Sequence, residues 1–334
     1  MRAYVLHGPR DGRVVDVPAP VAAPSEAVVE VERVGLCGTD VEFFTGEMAY
    51  LAQGHASYPL RLGHEWSGGV VATGPGVDPA WHGRRVMGDT MLGDGVCRRC
   101  RRGHQHVCAS REEVGIRGGR PGALAEQLAV PVSSLHVLPP EVDGVLGALV
   151  EPGGNALRAV LAADLSPGSR VLITGLGTIG LLAAQFAFSQ GAEVHLLGLH
   201  LSFARSLGFS NAWTAADLPA LPFDAVIDTS NSATLPALAI DRVEPGGRVV
   251  LIGIAGVPST VDTRRIVLKD LTLVGVLSAS GGLAETISRY ASGAVDPRPL
   301  VAATVGLDDA VAVLSGDRDP AWGPAPKIHI DPRR

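Results

Sequence analysis

Hydrophobic positions along the chain follow two regimes. Up to about residue 150 they come in short β-branched runs broken by glycine and proline. Ala27-Val28-Val29-Glu30-Val31-Glu32 and Gly69-Val70-Val71-Ala72-Thr73-Gly74 are examples, and Met1-Arg2-Ala3-Tyr4-Val5-Leu6 opens the chain in the same manner. Such spacing predicts the short strands of an all-β or barrel-like unit. The middle of the chain reads differently. Residues 170–174 form a buried-strand pattern, a glycine turn follows, residues 179–189 are an apolar helix, and residues 193–197 are a second strand. That is a βαβ unit, which implies a parallel sheet. Further strands are expected at 225–228, 248–253 and 271–275. A helical stretch at 307–314 and a strand at 327–330 close the chain, and the proline-rich patch 319–326 reads as a surface loop.

Composition narrows the classes. A chain of 334 residues is long enough for two cores, and its 46% hydrophobic and 19% charged residues are ordinary for a soluble globular protein. The formal net charge of −6 gives no footprint for nucleic acid. The uncharged run 171–192 is long enough to raise a membrane helix, but it contains Gly175, Gly177, Gly180 and Gly191 and is better read as strand, turn and helix. The first residues lack the apolar core of a signal peptide, so a cytoplasmic location is expected. Lys269 and Lys327 are the only lysines, a bias attributed here to codon usage. Of four cysteines, Cys37 stands alone and Cys97, Cys100 and Cys108 cluster; a Cys-x-x-Cys in such a chain points to metal binding before disulfides.

Gly175-Leu176-Gly177-Thr178-Ile179-Gly180 is weak evidence by itself. Here it follows a strand and opens a helix, which is the context of a dinucleotide site. The glycines allow a tight turn and close approach of a pyrophosphate, and the helix N-terminus offers unpaired N–H groups. An acidic residue is then expected at the end of the next strand, to bind the ribose 2′-hydroxyl. Gly198 is there instead, in Leu196-Leu197-Gly198-Leu199-His200. With no carboxylate to repel a 2′-phosphate, the cofactor is NAD or NADP with a lean to NADP, and His200 or Arg205 would partner the phosphate.

Two groups of residues suit zinc. Asp94 precedes Cys97 by three positions, as Cys97 precedes Cys100, and Cys108 follows; together they offer four donors for a closed structural site. His104 and His106 are rival fourth ligands. Cys37 and His64 stand in glycine-rich turns, with Glu65 beside His64 and Glu151 in Leu149-Val150-Glu151-Pro152-Gly153. A catalytic zinc keeps three protein ligands and one open position, so either glutamate completes a set. An alcohol held there would lose its proton more easily, as zinc-bound water does, and Thr39 could pass that proton outward.

The segments 35–40, 63–68, 94–108, Glu151-Pro152, 175–180 and Pro245-Gly246-Gly247-Arg248 together resemble the zinc-dependent medium-chain alcohol and polyol dehydrogenases, over essentially the whole chain. The likeness is to the sorbitol, threonine, glucose and aminocyclitol dehydrogenase-like branch. It implies a GroES-like β-rich catalytic domain of residues 1–153 and 289–334, with a Rossmann NAD(P)-binding domain at 154–288. By the same likeness Cys37, His64 and Glu151 are catalytic zinc ligands, Glu65 is an acid that can exchange onto the metal, and Thr39 is the first relay hydroxyl. The reaction implied is hydride transfer between NAD(P) and a secondary alcohol of a polyol, cyclitol, sugar or hydroxy-amino compound. A cleft between the domains would close over the substrate, and a homodimer or homotetramer would form through the nucleotide domain. An NADPH-dependent carbonyl reductase and a non-catalytic nucleotide-binding homologue are the competing readings. Three departures stand out: Asp94 replaces a cysteine, Glu42 stands where the relay often has histidine, and Gly198 replaces the strand-end acid. Tyr50, Trp66 and the loop 46–59 are candidate pocket-lining residues.

Overall fold

The computed structural model describes residues 1–334. The chain forms two compact units. One comprises Met1–Glu151, Leu283–Ser292 and Val301–Arg334, and the other Pro152–Gly282 and Gly293–Leu300.

In the first unit the strands are β1 (Arg2–Gly8), β2 (Asp11–Asp16), β3 (Glu26–Gly35), β4 (Glu65–Thr73), β5 (Arg85–Gly88), β6 (Met91–Leu92), β7 (Glu112–Glu113), β8 (Gln127–Pro131) and β9 (Leu135–Val137). The helices among them are α1 (Gly38–Thr45), α2 (Ala49–Ala52) and α3 (Gly144–Ala148). Helix α4 (Val150–Ala162) carries the chain into the second unit. There, strands β10 (Arg170–Thr174), β11 (Glu193–Leu197), β12 (Ala212–Trp213), β13 (Phe223–Asp228), β14 (Val243–Leu251) and β15 (Thr272–Gly275) alternate with helices α5 (Thr178–Ser189), α6 (Leu201–Ser206), α7 (Leu235–Arg242) and α8 (Thr263–Leu268). The chain returns to the first unit with α9 (Leu283–Ala291), β16 (Val301–Gly306), α10 (Ala310–Leu314) and β17 (Lys327–Asp331).

The main sheet of the first unit has the order β16-β17-β3-β4-β5-β9, with β8 also paired to β3. Its central strand β3 buries Val29, Val31 and Val34 against Tyr4, Leu6, Phe43, Phe44, Leu62, Trp66 and Leu124. Register shifts at Val28/Val29 and Val31/Arg33 bend β3 as it crosses the sheet. At the end of β3, Gly35 pairs with His329 of β17 on one side and Glu65 of β4 on the other. This register brings the C-terminal strand beside the segment that starts with His64.

The second unit is a six-stranded parallel sheet in the order β12-β11-β10-β13-β14-β15. Counted from the first strand of this unit, the order is 3-2-1-4-5-6, the doubly wound dinucleotide-binding arrangement. The α/β class with a β-rich unit and a Rossmann sheet, expected from the sequence, is therefore the fold. The uncharged run 171–192 is β10 and α5, and no helix is long and apolar enough to cross a membrane. β14 starts five residues earlier than the sequence suggested, and β16 and the two-residue strands were not foreseen.

Candidate functional site

The first site begins where β3 runs into α1. Cys37 is the N-cap of α1: its Sγ accepts from Thr39 N at 3.3 Å, and Asp40 accepts from Cys37 N at 3.0 Å. Asp40 is fully buried and accepts from Gly63 N at 3.2 Å, and it stands 3.5 Å from His64 Nδ1. That is ion-pair distance, and it turns the other ring nitrogen toward the thiol, with His64 Nε2 3.4 Å from Cys37 Sγ. Gly63 has φ of +97°, a conformation that needs glycine. Thr90 Oγ1 donates to His64 O, and so fixes the backbone of the same residue.

Donor atoms of Cys37, His64 and Glu65 all lie within 4.8 Å of one another. Two ligands of a tetrahedral zinc, one sulfur and one nitrogen, would be about 3.5 Å apart from the usual bond lengths. The observed 3.4 Å fits that edge. Burial disfavours the imidazolium, yet Asp40 and Cys37 outweigh it and hold the pKa of His64 well above the usual value. A field that favours a proton on this ring also favours a metal cation there. Glu151 is buried in the first turn of α4 and is not a member of the three-residue group.

Sequence reasoning missed two participants. Asp40 was legible as an acid three residues after a cap position, the pattern of a capping box. Lys327 was visible as one of only two lysines. Its Nζ donates to Leu36 O at 2.8 Å and to Glu65 Oε1 and Oε2 at 2.9 and 2.6 Å. Both side chains are 3% exposed. The carboxylate of Glu65 lies over Gly35, where a Cβ would come within 2.2 Å of Oε2. Both lysines in fact use three donors, for Lys269 Nζ binds the carbonyls of Ile240, Asp241 and Val243. The reading of the lysine bias as free of chemistry is corrected at these two positions.

Asp94, Cys97, Cys100 and Cys108 form a second group with donor atoms within 4.8 Å. All four cysteines of the chain are free thiols. Cys97 and Cys108 Sγ are 3.8 Å apart, which fits the edge of about 3.8 Å between two thiolates on a tetrahedral zinc. Asp94 Oδ1 accepts from Val96 N and Cys97 N at 2.9 Å each, and these bonds hold its carboxyl well below the usual range. The bond from Cys100 N lowers the Cys97 thiol, while desolvation pushes Cys100 up to about 12. Asp94 is thus a member of the cluster, and His104 and His106 are not.

In the second unit, Gly175 (φ +90°) leaves the end of β10, where Thr174 Oγ1 donates to Asp228 Oδ1 at 2.6 Å. A Cβ at Gly180 would meet Gly175 O at 1.8 Å, so helix and turn pack at the limit of contact. At Gly177 a Cβ would meet nothing within 4 Å, and this N-cap of α5 makes no side-chain cap. The N–H groups of Thr178, Ile179 and Gly180 therefore begin a helix that no side chain closes, as phosphate binding requires. At Gly198 a Cβ would come within 2.5 Å of Leu176 Cγ, so any side chain there requires Leu176 to move. Arg205 Nη2 donates to Ala212 O at 2.8 Å, which ties one end of its guanidinium to β12, and His200 is exposed at the start of α6. Trp66 is fully buried in the core of the first unit. Tyr50 OH instead joins Arg111 Nη2 at 3.2 Å and Glu113 Oε1 at 3.3 Å.

Residues 23–140 match the alcohol dehydrogenase GroES-like domain, and residues 178–292 match the zinc-binding dehydrogenase model. The L-threonine 3-dehydrogenase of Streptomyces avermitilis is 33% identical and covers 99% of each chain. That of Rhizobium johnstonii is 30% identical over 92% of this chain and 93% of the other. Among solved structures, a Sinorhizobium meliloti protein described as a zinc-binding dehydrogenase and bound to NADP superposes with a TM-score of 0.89 at 27% identity, over 99% of each chain. The chain belongs to the zinc-binding medium-chain dehydrogenase family. It is an oxidoreductase acting on the CH–OH group of a small-molecule alcohol, with zinc and NAD(P) as cofactors.

Proposed function

We propose that this protein oxidises a secondary alcohol flanked by a second polar substituent, as in a hydroxy-amino acid such as threonine or in a polyol, with Cys37, His64 and Glu151 as the metal ligands. The observation that carries this reading is the pairing of Cys37 Sγ with the buried His64 Nε2 at 3.4 Å, which fits one edge of a tetrahedral zinc site; Glu151 as third ligand is what the family likeness adds. When bound, zinc supplies a Lewis acid for the alcohol oxygen, and the nicotinamide supplies a hydride acceptor. Asp40 fixes His64 with Nε2 available as a donor. Thr39 and Glu42 stand three positions apart on α1 and so share a face, from which Thr39 accepts the hydroxyl proton and Glu42 releases it to solvent. Partial desolvation, with Glu47 nearby, raises the pKa of Glu42, which suits a group that must hold a proton in passing. Gly175, Gly177, Thr178, Ile179 and Gly180 hold the pyrophosphate. Gly198 leaves the adenosine side without an acid, which supports NADP. Asp94, Cys97, Cys100 and Cys108 hold a second, structural zinc. The protein works in the cytoplasm as a homodimer or homotetramer joined through the second unit.

The test combines metal analysis with a cofactor-coupled screen of threonine, polyols, cyclitols and sugars, run with NAD and NADP in parallel. Two zincs per chain are expected in protein prepared without chelator; a zinc-free active enzyme overturns the reading. Cys37→Ala should abolish turnover and leave nucleotide binding unchanged, and a fully active variant would refute the ligand assignment.

A further inference from the structure

A tetrahedral site with four protein donors is closed, and a catalytic one needs a free position. With Glu151 taken as the third ligand, as proposed above, the donors of Cys37, His64 and Glu151 already fill the protein's share of an open site. Glu65 has a donor within 4.8 Å of those of Cys37 and His64, and on that assignment it would be a fourth. Something must hold Glu65 back, and the structure shows what does. Both carboxylate oxygens of Glu65 are taken by the ammonium of Lys327, at 2.9 and 2.6 Å, and the third donor of Lys327 goes to Leu36 O at 2.8 Å, one residue before Cys37. The carboxylate rests in the space left by the missing side chain of Gly35. Both partners are 3% exposed, so water cannot substitute for either.

We propose that Lys327 is a positioning residue for the reaction: by engaging both oxygens of Glu65 it keeps that carboxylate off the metal and preserves the open position for the alcohol. This rests on the assignment of Cys37, His64 and Glu151 as metal ligands. Residue choice supports it. In a chain whose cations are arginine nearly everywhere, lysine stands where one carbonyl and two carboxylate oxygens surround a single point, which a three-donor ammonium fits and a planar guanidinium does not.

The test uses cobalt-substituted enzyme and azide, which perturbs the visible spectrum only where a cobalt has a free position. The lobe of Asp94, Cys97, Cys100 and Cys108 has four protein donors and stays silent. In wild type, azide should shift the spectrum saturably. In K327M, Glu65 is released onto the metal, and the azide dissociation constant should rise about tenfold or more. The double variant K327M/E65Q removes the competing carboxylate and should restore azide binding toward the wild-type value. Unchanged azide binding in K327M overturns the proposal, as does a double variant that stays as weak as K327M. If K327M does not fold, K327Q takes its place: it keeps an N–H donor without the charge, and a wild-type azide response there overturns the proposal equally. A wild type with cobalt in the lobe alone refutes the ligand assignment itself, which is a different result.

Discussion

At the scale of the residue, contacts explain what the sequence left as anomalies. Gly198 was legible as a missing acid, but its close approach to Leu176 was not, because that is a contact between the end of β11 and the glycine turn after β10. Gly198→Asp should therefore raise KM for NAD and NADP together by displacing Leu176, without a switch of preference. Steady-state kinetics with both cofactors check this, and a clean switch to NAD would show that Leu176 yields. His329 is another case. It is fully buried, neither ring nitrogen has a hydrogen-bond partner, and burial with Lys327 and Arg33 pushes its pKa down to about 3. The folded state keeps this ring neutral while the unfolded chain protonates it near the ordinary value of about 6.5. The stability so gained is present above that pH. It is lost at about 1.4 kcal/mol per pH unit as pH falls from about 6.5 toward 3. His329→Phe should show a shallower fall in melting temperature across that window than wild type; parallel curves would refute the account.

At the scale of the element, legibility follows how local the cause is. β10 and β11 were readable to the residue, because a buried parallel strand is a continuous apolar run bounded by polar and glycine positions. β16 was not, since Val301-Ala302-Ala303-Thr304-Val305-Gly306 is half-buried along its length and is defined by its parallel pairing with β17. The cluster of Asp94, Cys97, Cys100 and Cys108, proposed above to hold a metal, lies between these cases. Its grouping was legible as a spacing, whereas the service of Asp94 as an acceptor for two backbone N–H groups was not. Asp94→Ala removes a candidate donor and both of those bonds to backbone N–H groups. The expected result is one zinc per chain instead of two and a lower melting temperature. Retention of both zincs would exclude Asp94 as a ligand. Arg111 ties this lobe to α2, since it donates to Cys108 O, Glu113 and Tyr50. Loss of the lobe metal should therefore loosen the segment around Tyr50 first, which limited proteolysis can detect.

At the scale of the whole molecule, the sheet of the second unit ends in β15, an edge strand with open hydrogen-bonding groups. Nearby in sequence, Ile254, Val257, Val267 and Leu268 are 76, 64, 77 and 85% exposed. On the homodimer proposed above, a second copy paired edge to edge would cover both the strand and these side chains by one two-fold contact. The double variant Val267→Glu with Leu268→Glu should be monomeric by light scattering; an unchanged oligomer would place the interface elsewhere. The scarcity of lysine has a practical consequence as well. Along these 334 residues amine-directed reagents meet two side-chain ammonium groups, each already bound on three sides. Acylation of Lys327 in the native protein would require β17 to leave its sheet. Mass-resolved labelling at that one position would thus act as a clock for opening of the C-terminal strand.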